Sequence, residues 1–255
     1  MLRYQTDPPR ATITIDDPER RNPLSNDGIA ELAALVERAA GDDAVRVIVI
    51  TGAGDTAFSA GGDLSGGFVD APLEEHDARA ALIALFSAMR HCGKPTVARI
   101  NGHALAGGLG LAAACDIVVA VDDATFGAPE IKVGLWPMMI TAVLQRVMPH
   151  KAALELMMTG RRITADEAQR LGIVSRVVPR GDLDDAVALV VHQVASTSAA
   201  VMRLGRDSFY AVQDMGFDDA LEHLHAGLTA VALTEDAAEG IAAFLEKRRP
   251  RWKDS

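Results

Sequence analysis

Two stretches of small residues, each directly after a buried-strand pattern, constrain this 255-residue chain most strongly. The first is 57–64 (Ala-Phe-Ser-Ala-Gly-Gly-Asp-Leu), which follows the apolar run Val45–Ile50. The second is 101–108 (Asn-Gly-His-Ala-Leu-Ala-Gly-Gly), which follows Pro95–Ile100. Glycine lets a ligand approach the backbone because no β-carbon stands in the way. Both stretches lead toward a helix, so the sequence predicts two backbone amides that converge on one developing oxyanion.

Strand and helix patterns alternate through the first half of the chain and predict an α/β fold. The predicted strands are 11–15, 45–51, 96–100 and 117–121, and the predicted helices are 29–40 (capped by Ser25), 73–91 and 107–114. After Pro137 the pattern is mostly helical (138–147, 151–158, 165–172 and 184–196), and only 175–178 is strand-like. Helical crossovers between strands predict mainly parallel pairing. On this pattern alone, a doubly wound sheet is an equally good interpretation.

The segments Phe58–Asp63 and Asn101–Gly108, in this order and spacing, resemble those of the crotonase (enoyl-CoA hydratase/isomerase) superfamily. The resemblance extends over nearly the whole chain. It implies a spiral of ββα units, with residues 1–195 as the core that carries the active site and 196–255 as a helical C-terminal region for trimer assembly. It also implies an acyl-CoA thioester substrate, whose coenzyme A is the only cofactor-like group, and a homotrimer or hexamer.

The resemblance assigns the reacting groups residue by residue. It places the two oxyanion amides on Gly62 and Gly107, and proton transfer on Glu130 in the Pro-Glu pair of residues 129–130. Apolar neighbours of Glu130 are expected to raise its pKa toward a useful value. Asp63 is interpreted as a turn or helix-cap residue.

One position departs from the family pattern. Hydratases of the family normally carry a second glutamate three residues after the middle oxyanion glycine, and here that residue is Gly110. Two carboxylates hold the water that adds to a double bond, so a single one favours double-bond isomerisation. Slow hydration with a water held by Glu130 and backbone groups stays open, as does a non-catalytic acyl-CoA-binding protein. Asp116 and His103 are interpreted as structural, since Asp116 matches a structural Cys-Asp motif of the family and His103 matches a packing position.

The resemblance also implies where coenzyme A binds. Ala60 matches a position whose backbone contacts the adenine, and Arg20 and Arg21 lie near the matching pantetheine-phosphate segment. Phe244 and Lys247 match residues that reach the coenzyme A of a neighbouring subunit. Because they are three residues apart, we expect them on one helical face.

Two further segments have more than one interpretation. Residues 65–72 are glycine-bearing and predict either a plain surface loop or a lid over the acyl chain. Glu74, Glu75 and His76 next to it are secondary candidates for proton transfer. In the C-terminal region, an apolar face recurs at three- and four-residue steps and predicts a helix that needs a partner or a place in the core (Leu221, Leu224, Leu228 and Val231).

Composition excludes several other classes. The net charge of −10 argues against nucleic acid as a partner, since phosphate binding needs a concentrated basic surface. Cys92 and Cys115 are expected to be free thiols, and no metal site is predicted. The sequence shows neither a signal peptide nor an apolar run long enough for a bilayer, so we expect a cytoplasmic protein without a membrane partner. Acyl-chain length, branching and pathway are not specified by the sequence.

Overall fold

The computed structural model describes residues 1–63 and 75–254, apart from the side chain of Glu75. The predicted loop at 65–72 and Glu74 lie outside the described residues. The strands are β1 (Leu2–Asp7), β2 (Arg10–Ile15), β3 (Pro23–Leu24), β4 (Val47–Gly52), β5 (Ala57–Ser59), β6 (Gly61–Gly62), β7 (Thr96–Ile100), β8 (His103–Leu105), β9 (Ile117–Val121), β10 (Thr125–Gly127), β11 (Arg162–Thr164) and β12 (Arg176–Val178).

The helices follow the sequence prediction closely. They are α1 (Asn26–Ala40), α2 (Glu75–His91), α3 (Gly107–Ala114), α4 (Met138–Val147), α5 (His150–Thr159), α6 (Ala165–Arg170), α7 (Leu183–Ala195), α8 (Ala199–Ala211), α9 (Phe217–Ala232) and α10 (Glu235–Leu245). At the start of α1, the Ser25 hydroxyl accepts a hydrogen bond from the Gly28 amide, as its cap position predicts.

Repeated strand pairs build two sheets. One sheet has the order β1-β2-β4-β7-β9-β12, and a second has the order β11-β10-β8-β5. Each successive pair (β4 and β5, β7 and β8, β9 and β10) therefore gives its first strand to one sheet and its second strand to the other. All neighbours pair in parallel except β1 with β2 and β10 with β11. This is the spiral of ββα units that the resemblance implies, and not a doubly wound sheet.

Seven strands are absent from the sequence prediction: β1, β3, β5, β6, β8, β10 and β11. β1 pairs with β2 at the edge of the large sheet, and most of its side chains face solvent, so it has no apolar run to reveal it. β11 has three residues and pairs with β10 through Phe126 and Ile163. The expectation that 175–178 is the one strand after Pro137 is therefore wrong. A strand of this length buries too few side chains to leave a pattern.

The C-terminal helices α8, α9 and α10 extend from this core. The predicted apolar face of α9 exists, but it is not covered within the chain. Leu221 is 51% exposed and Leu228 is 67% exposed, and every residue of α9 is exposed or half-buried. Among the described residues, no single helix is long and apolar enough to cross a membrane. One pair passes that test together, but it is bent by 101° (Arg180–Ala195 with Ala199–Asp214).

Candidate active site

Three neighbouring strands of the small sheet bring the predicted reacting groups to one edge. β8 lies between β5 and β10 and runs parallel to both. Gly62 follows β5, Gly107 follows β8, and Glu130 follows β10. Because parallel strands end at the same edge of a sheet, the three residues leave their strands side by side. The Ala106 amide donates to the Gly127 carbonyl (2.9 Å), and this hydrogen bond holds the segment after β8 against the end of β10.

The two glycine turns are in direct contact. A β-carbon on Gly61, whose φ is +98°, would lie 2.6 Å from the β-carbon of Ala106 and 3.1 Å from the nitrogen of Gly107. A β-carbon on Gly107 would lie 3.7 Å from the nitrogen of Gly62. Only glycine permits this approach at Gly61, since an added methyl group would overlap the second turn.

The second turn opens helix α3. Ala106 occupies the N-cap position with φ 51° and ψ −125°, a backbone conformation that alanine rarely adopts. Alanine brings no side-chain group to cap the helix, and the first amides of an α-helix have no intrahelical acceptor. Gly107 therefore presents its amide at the positive end of the α3 dipole, where a developing negative charge is stabilised.

Glu130 has the environment expected of a proton-transfer group. It lies in a 3₁₀ turn, Pro129–Val133, whose shape is held by the Leu135 amide donating to the Glu130 carbonyl (3.0 Å). Its carboxylate oxygen Oε2 is buried and has no hydrogen-bond partner among the described residues. Burial raises the pKa of Glu130 above its usual value, although its own backbone amide acts in the opposite direction. A buried carboxylate oxygen without a partner is destabilising, which is typical of a group that acts in a functional site.

The position of the missing second glutamate is filled from another helix. Gly110 is buried in α3, and a β-carbon on it would lie 2.8 Å from the β-carbon of Ile140 in α4. It would lie closer still to Cγ2 of Ile140, and 3.3 Å from Cζ of Phe86 in α2. Ile140 is itself buried, with 3% of its surface exposed. No side chain fits at position 110 while Ile140 keeps its place, so this position supplies no second carboxylate.

Comparison with known proteins gives the same assignment. The family model described as enoyl-CoA hydratase/isomerase matches residues 10–255. The chain belongs to this family. A carnitinyl-CoA dehydratase of Escherichia coli K12 is 33% identical, with 94% of each protein covered. A crystal structure of a Mycobacterium smegmatis enoyl-CoA hydratase superposes with a TM-score of 0.95 at 32% identity, covering 98% of both chains. Human enoyl-CoA hydratase domain-containing protein 3 superposes with a TM-score of 0.94 at 31% identity, covering 98% of this chain and 99% of that one.

Two asparagines that the sequence analysis did not single out hold the first oxyanion turn of this family member. Asn22 is fully buried, and its side-chain amide donates to the carbonyls of Ala53 (3.0 Å) and Ala57 (2.7 Å). The side-chain amide of Asn101 donates to Gly54 (2.8 Å) and also to Ala57 (3.2 Å). Both asparagines thus fix the start of β5. The Asn-Gly pair at residues 101–102 is the sequence signal that could have identified Asn101.

Three of the residues expected near coenzyme A lie together beside the first turn. The amide of Ala60 donates to the carbonyl of Arg21 (2.9 Å), which joins the segment before β3 to the segment before β6. Arg20 forms an ion pair with Asp63 (2.7 Å). This contact ties Arg20 to the backbone that carries Gly62. The roles of Ala60, Arg20 and Arg21 in binding coenzyme A stay predictions.

The expected geometry of Phe244 and Lys247 is wrong in one respect. Helix α10 ends at Leu245, and Lys247 has a left-handed conformation with φ 54°. The Lys247 amide donates to the Phe244 carbonyl (3.2 Å) and the Arg248 amide to the Ala243 carbonyl (3.0 Å), which is a Schellman motif. The two side chains therefore do not share a helical face. Phe244 is 82% exposed on a helix that packs against α8 and α9.

Asp116 and His103, which the sequence analysis interprets as structural, form hydrogen bonds with side chains of other elements. Asp116 accepts hydrogen bonds from Thr96, from Arg206 (2.9 Å) and from the Tyr210 hydroxyl (2.5 Å). Burial, followed by the Asp116 carboxylate, raises the pKa of Tyr210, so its hydroxyl stays a donor. His103 pairs with the Thr125 hydroxyl (2.9 Å).

Both cysteines are free thiols, and Cys115 is buried while Cys92 is half-buried. This outcome matches the sequence prediction.

Proposed function

We propose that this enzyme shifts the double bond of an enoyl-CoA by proton transfer through Glu130. The observation that carries the proposal is the buried Oε2 atom of Glu130, which has no hydrogen-bond partner among the described residues, at the sheet edge where the segments of Gly62 and Gly107 meet. A base for the acyl chain and two amides for the thioester oxygen are the parts that this reaction requires.

The reaction follows from these parts. The Glu130 carboxylate removes a proton from C2 of a 3-enoyl thioester, and the electron pair moves to the thioester oxygen. The Gly62 and Gly107 amides stabilise the resulting dienolate. The protonated Glu130 then gives the proton to C4, and the double bond moves from C3–C4 to C2–C3. No water enters the product, which is consistent with the closed space over Gly110.

Hydration of a 2-enoyl-CoA, or the reverse elimination of water, is the second candidate. The names of the relatives favour it, since they include an enoyl-CoA hydratase and a carnitinyl-CoA dehydratase. In that reaction Glu130 would activate the water without help from a second carboxylate. We expect it to be slower than isomerisation, because the space that holds a second glutamate is occupied by Ile140.

Assembly belongs to the same proposal. The apolar face of α9 lies exposed in the single chain, and a trimer, alone or paired into a hexamer, would cover such a face. Lys247 and Phe244 are exposed at the end of α10, where they are free to reach the coenzyme A bound by a neighbouring subunit. The proposal therefore includes a coenzyme A site shared between subunits.

The Glu130→Gln variant tests the catalytic assignment. It keeps the shape of the side chain, so the variant should fold and bind acyl-CoA but lose at least about 100-fold in turnover of 3-enoyl thioesters. Glu31→Gln is the matched control, since Glu31 is exposed on α1. A panel of 2-enoyl and 3-enoyl thioesters, with hydration and isomerisation followed separately, distinguishes the two candidates. Unchanged turnover in Glu130→Gln would reject the assignment, and a wild-type chain that binds thioesters without turnover would be the non-catalytic binder.

A further inference from the structure

Ile140 and Gly110 form a complementary pair beside the reacting groups. The bulky member lies on α4 and the small member on α3, and the isoleucine occupies the volume that a side chain at 110 would need. Both residues are buried, so neither can move into solvent to make room. Close-packed interiors tolerate such overlap poorly, so a larger residue at position 110 requires a smaller one at position 140.

The pair lies one helical turn behind the second oxyanion amide. The Gly110 amide donates to the Ala106 carbonyl (3.2 Å), which is the first hydrogen bond of α3 after Gly107. Residues three apart in a helix share a face, so Gly107 and Gly110 lie along the same side of α3. The groups that cover this side at Gly110 are the hydrocarbon side chains of Ile140 and Phe86.

Hydrocarbon side chains cannot position a water molecule. A water held in a protein interior makes about three hydrogen bonds, and an apolar cavity of comparable size stays dry. Ile140 and Phe86 supply none of these bonds. A water beside Gly110 would therefore lack partners on the side of the site that faces α4 and α2.

We propose that Ile140 determines the reaction specificity of this site. Together with Phe86, it closes the space over Gly110 to water and so restricts the site to proton transfer. The inference rests on the proposed function of Glu130. In hydration, a water oxygen bonds to C3 of a 2-enoyl thioester while C2 receives a proton, and the water must be held during this step. In isomerisation the proton only passes from C2 to Glu130 and on to C4. Ile140 slows the first reaction and leaves the second unaffected.

The test opens the space in two steps. Ile140→Ala should raise the ratio of hydration to isomerisation severalfold, measured by the mass of the 3-hydroxyacyl product and by the shift of the double bond. The double variant Gly110→Glu with Ile140→Gly should hydrate about 100-fold faster than Gly110→Gln with Ile140→Gly, since only the carboxylate can exchange a proton with the water. Ile13→Ala, a fully buried truncation in β2, controls for destabilisation alone.

The outcomes separate this inference from the proposed function. An unchanged ratio in a folded Ile140→Ala variant that still isomerises would overturn the role of Ile140 and leave that of Glu130 intact. A wild-type enzyme that hydrates 2-enoyl thioesters faster than it isomerises 3-enoyl thioesters would overturn the proposed function, whatever Ile140→Ala does. If Ile140→Ala fails to fold, Ile140→Leu, which lacks the Cγ2 methyl group nearest to Gly110, provides the same comparison, and an unchanged ratio there would overturn the inference.

Discussion

The nitrogen of Gly62 lies 3.7 Å from the position that a β-carbon on Gly107 would take. Gly62 lies in β6, which follows β5, and Gly107 begins α3 after β8; parallel pairing of β5 with β8 brings the two segments together. The proposed function places the thioester oxygen between them, where it would accept from both amides. Under that proposal the backbone, and not a side chain, would stabilise the charge on the substrate.

Substitutions at Gly62 distinguish the role of its backbone amide from the effect of an added side chain. Among the described residues, nothing lies within 4 Å of a β-carbon at this position. Gly62→Ala keeps the amide, so we expect turnover within about tenfold of wild type. Gly62→Pro removes it and should cost at least about 100-fold, as loss of an oxyanion donor does elsewhere. Steady-state kinetics, with coenzyme A affinity and melting temperature as folding controls, measure the difference. Equal turnover of the two variants would contradict the oxyanion role.

The ionisation of Glu130 should affect the pH dependence of both activity and stability. Burial raises its pKa above 4.5, and Glu130 acts as a base only when ionised, so kcat/KM should rise with pH through that raised value. Above the unfolded-state pKa, the unfolded chain ionises before the folded one, so this residue lowers the free energy of unfolding as pH rises. Glu130→Gln should therefore lose the acidic limb of the pH profile of kcat/KM. It should also melt at a higher temperature than wild type near pH 7, and this difference in melting temperature should vanish near pH 4. A constant margin across this range would contradict the raised pKa.

Removing the Arg206 guanidinium should destabilise the fold. Arg206 donates to Asp116 and to the carbonyls of Met89 and Arg90 from a nearly buried position. Arg206→Met leaves Asp116 without its cation, and breaking a buried pair in this way costs about 3–5 kcal/mol. Arg146→Met, which breaks an exposed pair with Asp214, is the matched control and should cost less than about 1 kcal/mol. Denaturant unfolding compares the two variants, and equal losses would contradict a structural role for Asp116.

A charge on the exposed face of α9 should disrupt assembly. Leu228→Glu places a carboxylate where Leu228 is 67% exposed in the single chain, so the variant should sediment as a smaller species than wild type. His223→Glu adds the same charge at another exposed position of the same helix and should not change the size. If a neighbour's Lys247 completes the coenzyme A site, Leu228→Glu should also bind coenzyme A more weakly. A wild-type chain that is monomeric at micromolar concentration and binds coenzyme A at full strength would contradict the shared site.

The parts of the fold and site that the sequence predicted are local. The glycine turns, the cap at Ser25 and the bounds of β7, α3, β9 and α4 depend on neighbouring residues, so their patterns are visible in the chain itself. The resemblance then supplied the spiral, which the residue pattern alone did not distinguish from a doubly wound sheet. Gly62 and Gly107 lie close together because β5 pairs with β8, and Glu130 follows β10, which also pairs with β8; their roles in the reaction stay predictions.

The parts that were not predicted depend on distant contacts. The absence of a second glutamate at Gly110 is visible in the sequence, but the side chain that fills its place comes from α4 and could not be inferred from spacing. The left-handed conformation of Lys247 depends on where α10 ends, and a lysine at that position carries no glycine signal. Strand β1 exists because β2 offers an edge, and its own residues are mostly exposed.

The Asp116 carboxylate also sets an order for folding. Its partner Thr96 begins β7 while Asp116 itself precedes β9, so the acceptor is assembled only when those two strands have paired. Arg206 is 90 residues further along the chain, and closing so long a loop is entropically costly until its target is formed. We therefore expect the C-terminal helices to dock late, onto a finished sheet, and mutations at Arg206 to speed unfolding more than they slow folding.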